Sequence, residues 1–225
     1  MCNKQFSAEI IDEFELCYIP ANSVCRTDLI WGRLGLPIHN NHGKTIAYAG
    51  RKLIEETANV HEAYIHKYND TNLSSAKLKK WENSKWINEP YDKIKNLYNF
   101  YKASPYIYQK NYAIIVEGYF DVIMCYQKGL RNVVATCGTN ISKQQILLLK
   151  SLCDFTYILY DPDDAGQLAA LRAQELCNNY NLNNKNILLP NNLDPDEFIV
   201  NKNCNKLESI LVHYITTNDR TLVLK

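Results

Sequence analysis

The sequence has no excess of either charge: 25 Lys and Arg stand against 24 Asp and Glu in 225 residues, a formal net charge of +1. A chain so balanced has no global field to draw it to a polyanion or an anionic membrane, so its electrostatics must come from charges separated along it. Glycine (8) and proline (7) are scarce, which excludes collagenous and Pro/Gly-rich disordered classes and leaves most of the chain to regular structure. No apolar run approaches the roughly 18 residues that span a bilayer. The start MCNKQFSAE has neither the basic cluster nor the apolar core of a signal peptide, so the expectation is a cytoplasmic protein with no membrane partner. The eight cysteines (Cys2, Cys17, Cys25, Cys125, Cys137, Cys153, Cys177, Cys204) include no C-x-x-C, and several lie inside apolar runs. They read as reduced core residues rather than a disulfide framework or a zinc site. With 46% hydrophobic and 22% charged residues, the chain suits one or two globular domains.

What the chain does have is regular periodicity from Asn111 onward. YAIIVE (112–117) is a short, β-branched, nearly all-apolar run ending at Gly118, as expected of a strand buried on both faces. YFDVIMCYQKG then places Phe120, Ile123, Met124 and Gln127 at helical spacing and stops at Gly129, a C-cap residue. VVAT (133–136) reads as a second strand, Ser142 as the cap of the helix KQQILLLKSLC, and FTYILY (155–160) as a third strand ending at Asp161. The helix AGQLAALRAQELCNNY follows, then the apolar run NILLP (186–190) as a fourth strand, then a helix start at DPDEF. Strand alternating with helix predicts an α/β fold: an open, mainly parallel sheet flanked by helices.

The first 110 residues are less regular and predict a smaller mixed α+β subdomain. SAEIIDEFEL is amphipathic, and LPIHNNHGKTIAYAGRKL reads as two short strands around the turn NNHGK. The polar stretch from Val60 to Lys85 has helical composition but few core residues, as a surface excursion would. Charge is also separated along the chain: eight Lys lie between Lys77 and Lys110 against Glu82, Glu89 and Asp92, and eight acids lie between Asp154 and Glu197 against Arg172 and Lys185. Each run taken alone is equally well a solvated surface.

Open parallel sheets place their ligand sites outside the carboxyl ends of the strands. Here those ends deliver carboxylates. Glu117 closes the first strand with Asp121 four residues on; Asp161, Asp163 and Asp164 follow the third as D-P-D-D; Asp194 and Asp196 follow the fourth as a second D-P-D. Such pairs present hard oxygen ligands, which select Mg²⁺ or Mn²⁺, and like charges so close repel unless a cation compensates them. An Asp after a strand is also an ordinary helix N-cap, and Asp121, Asp164 and Asp194 each fit that bland role. Glu117, ending an apolar strand before a Gly, has no such explanation.

The runs VEGYFDV, ATCGTNIS, ILYDPDDAGQLAALRA and LPNNLDPDEF resemble, in order and spacing, the Toprim domain of bacterial-type DnaG DNA primases. Upstream, FSAEIIDEFEL, LPIHNNHGKTIAYAGRKL, KWINEP and PYDKIKNLYNFYKA are similar to the N-terminal part of the same family's RNA polymerase core. The resemblance implies three segments: 1–110, an α+β subdomain with a basic ridge and an insertion at 60–80; 111–203, a Toprim catalytic domain; and 204–225, a C-terminal helical segment. It implies that Glu117, Asp121, Asp161, Asp163, Asp194 and Asp196 bind two or more Mg²⁺ or Mn²⁺ ions, with Glu117, Asp161 and Asp163 catalytic. Arg51, Lys85, Asn88, Lys93, Lys95 and Tyr119 fall on positions that contact template or nucleotide. The departures are D-P-D for the family's D-G-D, A-G-R with Ala49 for G-G-R, and Asp92–Lys93–Ile94–Lys95 for H-K-G-R, which puts the phosphate role of Lys93 and Lys95 in question.

The activity so implied is metal-dependent synthesis of short RNA primers from nucleoside triphosphates on single-stranded DNA, with no zinc and no organic cofactor. The family's zinc-binding module and its helicase-binding domain have no counterpart in these residues, so a separate zinc-binding module or a replicative helicase would be a partner. Two other classes share parts of the pattern: a Toprim nuclease, in which the same acids hold metal for strand cleavage, and a non-catalytic nucleic-acid-binding module. The upstream AGRKL, KWINEP and KNLY set argues against a stand-alone Toprim nuclease.

Overall fold

The structure, a computed structural model, describes residues 6–53, 71–138 and 140–189. These pack as two compact units, one of Ala8–Tyr91 and one from Asp92 onward together with Phe6 and Ser7.

The first unit is built on a four-stranded antiparallel sheet in the order β1-β2-β3-β4. Its elements are α1 (Ala8–Glu13), β1 (Cys17–Ile19), β2 (Arg33–His39), β3 (Thr45–Lys52), α2 (Thr71–Asn83) and β4 (Trp86–Asn88). The hairpin expected around NNHGK is β2–β3. Asn40 makes its turn, because the Asn40 Oδ1 accepts the backbone N–H groups of His42 and Lys44, both at 3.0 Å, while Asn40 N–H donates to the Lys44 carbonyl. The polar stretch before Lys85 does carry a core residue: Trp81 on α2 is 1% exposed, packs with Ile19, Ile30, Trp31 and Ile87, and donates its indole N–H to the Trp31 carbonyl at 2.8 Å. One large aromatic per helix is enough to dock it when the other faces are Lys-rich. Positions 60–70 of the expected insertion lie outside the described residues.

Arg33 ties this unit together. It is fully buried, and its guanidinium donates to the carbonyls of Leu29, Gly50, Ser84 and Trp81, with its carbon 5.6 Å from the Trp81 ring centre. Loop, strand and the end of α2 thus converge on one side chain.

The second unit comprises α3 (Phe100–Lys110), β5 (Tyr112–Val116), α4 (Tyr119–Gln127), β6 (Val133–Ala135), α5 (Lys143–Lys150), β7 (Phe155–Ile158), α6 (Asp164–Asn179) and β8 (Asn183–Asn186). Its four strands are parallel, in the order β6-β5-β7-β8, as the alternation of strand and helix predicts. Alanines, isoleucines and Val134 of the strands are buried against apolar stripes of the helices. Gly129 takes φ +89° after α4, the left-handed turn for which glycine suits a helix end, and Ser142 caps α5.

The fourth strand is displaced from its expected place. It is NNKN, not the apolar NILLP, and the ladder to β7 runs from Asn183 to Asn186 before Ile187 N–H donates to the Ile158 carbonyl. An edge strand is defined by its backbone pairing and can carry polar side chains, whereas the apolar residues after it, Ile187 and Leu189, are buried. The helix expected at DPDEF and the segment 204–225 lie outside the described residues. Among the described residues no helix is long and apolar enough to cross a membrane. The six described cysteines are all free thiols, and Cys125, Cys137, Cys153 and Cys177 are buried, as read from the sequence; burial pushes Cys153 and Cys177 up to about 11. Cys2 and Cys204 lie outside the described residues.

Arg33→Met should lower stability by about 3 kcal/mol or more, since it leaves buried carbonyls without a donor. Urea unfolding checks this, and a loss below about 1 kcal/mol would mean that water replaces the guanidinium.

Candidate active site

In the second unit the chain leaves β5 for β6 on one side and returns to β7 on the other, so the carboxyl ends of β5 and β7 form a topological switch point, where ligands bind in open α/β sheets. Glu117 stands at the end of β5, and Asp161 and Asp163 follow β7. The structure joins them. Glu117 Oε1 accepts the backbone N–H of Asp161 at 3.0 Å, and Asp163 Oδ1 accepts the N–H of Gly166 at 2.7 Å, which makes Asp163 the N-cap of α6. Asp164, which the sequence offers as the capping residue, instead occupies the first turn of α6.

Gly166 is what lets these pieces meet. A Cβ there would strike the Asp161 carbonyl oxygen and come within 2.8 Å of Glu117 Oε1. Gln167, unforeseen from the sequence, donates from Nε2 to the Asp161 carbonyl at 2.9 Å and accepts from Asn186 Nδ2 on β8, also at 2.9 Å. Only its place one turn after D-P-D hinted at this. The D-P-D loop is therefore held from the β5 side by a carboxylate and from the β8 side by an amide pair.

Asp121 is 8% exposed, and its Oδ2 accepts the N–H of Gly118 at 2.8 Å across the first turn of α4. Tyr119 is also buried, edge-on to Tyr98 at 4.8 Å. The loop after β6 supplies Cys137, in the left-handed region at φ +57°, whose carbonyl accepts from Lys93 Nζ at 3.3 Å. Burial raises the Cys137 thiol, the Tyr119 hydroxyl and the Lys93 ammonium favour its ionised form, and Asp121 opposes it. These groups therefore surround one loop.

Lys95 makes an ion pair with Asp92 at 3.0 Å, which holds the Asp92 carboxyl below its usual range. Arg51, Lys85 and Asn88 belong to the first unit. The Arg51 guanidinium lies 5.2 Å over the Trp86 ring, and burial lowers its pKa. Lys85 is exposed next to β4, and Asn88 pairs with Ala49 in the ladder, with its buried Oδ1 finding no partner among the described residues. Asp194 and Asp196 lie outside the described residues. The donors at the switch point are carboxylate oxygens, which suit a hard divalent cation. Among the described residues, however, no three Asp, Glu, His or Cys side chains converge closely enough to hold an ion by themselves.

Glu117 carries the electrostatic signature of the site. Burial raises its pKa, the Asp161 N–H opposes the rise, and the Asp163 charge adds to it. A folded-state pKa above the unfolded value means that ionised Glu117 costs stability at neutral pH, a cost that vanishes as pH falls through the raised pKa toward the unfolded value of about 4.3. Glu117→Gln retains an acceptor for Asp161. With chelator present it should unfold later than wild type at pH 7 to 8, with the difference closing toward pH 4. Denaturant midpoints across that range check this, and a pH-independent difference would contradict it.

Residues 114–199 match the family model described as Toprim-like. The DNA primase of Aquifex aeolicus is 34% identical over 184 residues, which are 80% of this chain and 32% of that protein. The chain thus spans about a third of the length of that relative. The crystal structure of the Aquifex aeolicus primase zinc-binding and RNA polymerase domains superposes with a TM-score of 0.74 at 28% identity, covering 92% of this chain and 52% of that one. A DnaG primase catalytic domain bound to single-stranded DNA gives a TM-score of 0.68 at 25% identity, with 92% and 68% covered. Glu117 and the D-P-D loop lie within the Toprim match, and the primase match runs well beyond it: the chain belongs to the bacterial-type DnaG primase family, within its Toprim-containing catalytic core.

Proposed function

We propose that the chain is a primase catalytic core that makes short RNA primers from nucleoside triphosphates on a single-stranded DNA template. The observation that carries this reading is the joining of Glu117 to the D-P-D loop at the switch point of a Toprim sheet. The family is metal-dependent. Glu117, Asp121, Asp161 and Asp163 are the proposed carboxylates for Mg²⁺ or Mn²⁺, with Asp194 and Asp196 completing the set. When bound, such ions neutralise charge on the attacking and leaving oxygens of phosphoryl transfer.

The chain's own part is position. Glu117 orients the D-P-D loop through the Asp161 N–H, and its raised pKa also suits it to take a proton from an attacking hydroxyl. Arg51, Lys85, Lys93 and Lys95, with Asn88 and Tyr119, are the proposed contacts to template and nucleotide, sequence-tolerant because phosphate contacts carry no base information. A helicase or a separate zinc-binding module is the proposed protein partner. A stand-alone Toprim nuclease is disfavoured by the primase match, which reaches across 80% of the chain where the Toprim match covers residues 114–199.

Incubation with single-stranded DNA, labelled ribonucleotides and Mg²⁺ or Mn²⁺ tests the reading. Short RNA products support it; DNA degradation without synthesis would favour the nuclease. Asp161→Asn and Asp163→Asn should each cost at least a hundredfold in synthesis while the fold survives, since Asn still caps α6 at position 163. Near-normal activity, or unfolding of both, would assign the acids to structure alone. Lys93→Ala and Arg51→Ala should each weaken single-stranded DNA binding regardless of sequence, reducing the salt slope by about one. Titrations at several salt concentrations decide this, and unchanged slopes would remove both residues from the interface.

A further inference from the structure

The segment Asp92–Asn96 carries Lys93 and Lys95 and is gripped by two side chains at the amino end of α5 that the proposed chemistry does not use. Gln145 is fully buried. Its Nε2 donates to the carbonyls of Lys93 (2.9 Å) and Asn96 (2.8 Å), while its Oε1 accepts the backbone N–H of Ser142 (2.8 Å). Ser142 Oγ accepts the N–H of Gln145 (3.1 Å) and donates to the Ile94 carbonyl (2.6 Å). Each side chain faces two ways. Its acceptor half closes the capping box of α5, and its donor half binds the segment. Capping requires only the acceptors; the donors serve the carbonyls of Lys93, Ile94 and Asn96. Lys93 is thereby held at both ends, by Gln145 at its carbonyl and by the Cys137 carbonyl at Nζ.

We infer that Gln145 and Ser142 are positioning residues for Lys93, fixing its backbone so that the ammonium is presented beside the loop after β6 to a phosphate of template or nucleotide. The inference rests on the phosphate-binding role proposed for Lys93. An irregular segment with a four-carbon ammonium would otherwise sample many directions, and freezing it on binding would cost conformational entropy.

Two substitutions separate the halves. Ser142→Asp and Gln145→Glu keep the capping acceptors and replace the donors with carboxylate oxygen. In salt-series titrations of the full chain with labelled single-stranded DNA, each should lose about three- to tenfold in affinity at low salt and about one unit of slope, the effect expected of Lys93→Ala. Added to Lys93→Ala, neither should cause further loss. A negative charge acting merely at a distance would instead weaken binding in both backgrounds. Ser142→Thr, which keeps the hydroxyl, should bind as wild type. Because Gln145→Glu buries a carboxylate and can unfold the chain, Ser142→Asp, at a partly exposed position, carries the test alone, with circular dichroism to verify its fold. If Lys93→Ala weakens binding and Ser142→Asp does not, or if their losses add, the positioning role is overturned. If Lys93→Ala leaves affinity and slope unchanged, the phosphate reading of Lys93 falls and the positioning role with it.

Discussion

The second unit turns on one hydrogen bond, from the Asp161 backbone N–H to the Glu117 carboxylate. The strand order β6-β5-β7-β8 sends the chain away from β5 in one direction and brings it back in the other, so the loops after β5 and β7 diverge where a ligand would enter. Glu117 bridges that divergence. The bond fixes where the D-P-D loop begins, Asp163 fixes where α6 begins, and Gly166 keeps the space between them clear of a side chain. Burial and the nearby Asp163 make this a costly place for a carboxylate. The metal-ligand role proposed for Glu117 accounts for such a local cost.

The first unit solves a different problem with the opposite charge. Its sheet is antiparallel and small, and its aromatic core of Trp31 and Trp81 needs the end of α2 brought against β2 and β3. Arg33 does this through four backbone carbonyls and the face of Trp81. A buried guanidinium has five donors in a rigid fork, so a single residue can satisfy helix-end, strand and loop acceptors that would otherwise be buried without partners.

Much of this was legible in the sequence, for identifiable reasons. Strands β5, β6 and β7 are β-branched or aromatic runs bounded by turn residues, and their carboxyl ends can be located without knowing the fold; Glu117 and Asp161 follow directly. The hairpin at NNHGK is marked by Asn and Gly in the turn. What escaped is set by partners rather than by local pattern. NNKN pairs as a strand through its backbone, which leaves no hydrophobic signature. Trp81 looks like a stray aromatic in a Lys-rich helix until Trp31 and Ile87 are placed against it. Whether Asp163 or Asp164 caps α6 depends on the extended backbone at Asp163, φ −71° and ψ 166°. The roles of Gln145 and Gln167 follow from which carbonyls lie opposite them.

The departure at Asp92–Lys95 has a local structural basis in this chain. A resemblance to H-K-G-R leads one to expect a permissive glycine at the third position, where Ile94 stands. Here Asp92 makes the turn instead: its Oδ1 accepts the N–H of Ile94 at 3.2 Å, and its carbonyl accepts from Asn96 Nδ2 at 2.7 Å. The same carboxylate pairs with Lys95. An exposed pair of this kind contributes little to stability, but it reduces the net charge that Lys95 brings to the segment. Lys93 differs from Lys95 in that its ammonium meets the loop after β6. With Ile94 at the third position the turn is made by the Asp92 side chain, and what distinguishes Lys93 from Lys95 is its partners: Gln145 at its carbonyl and the Cys137 carbonyl at Nζ, against Asp92 for Lys95.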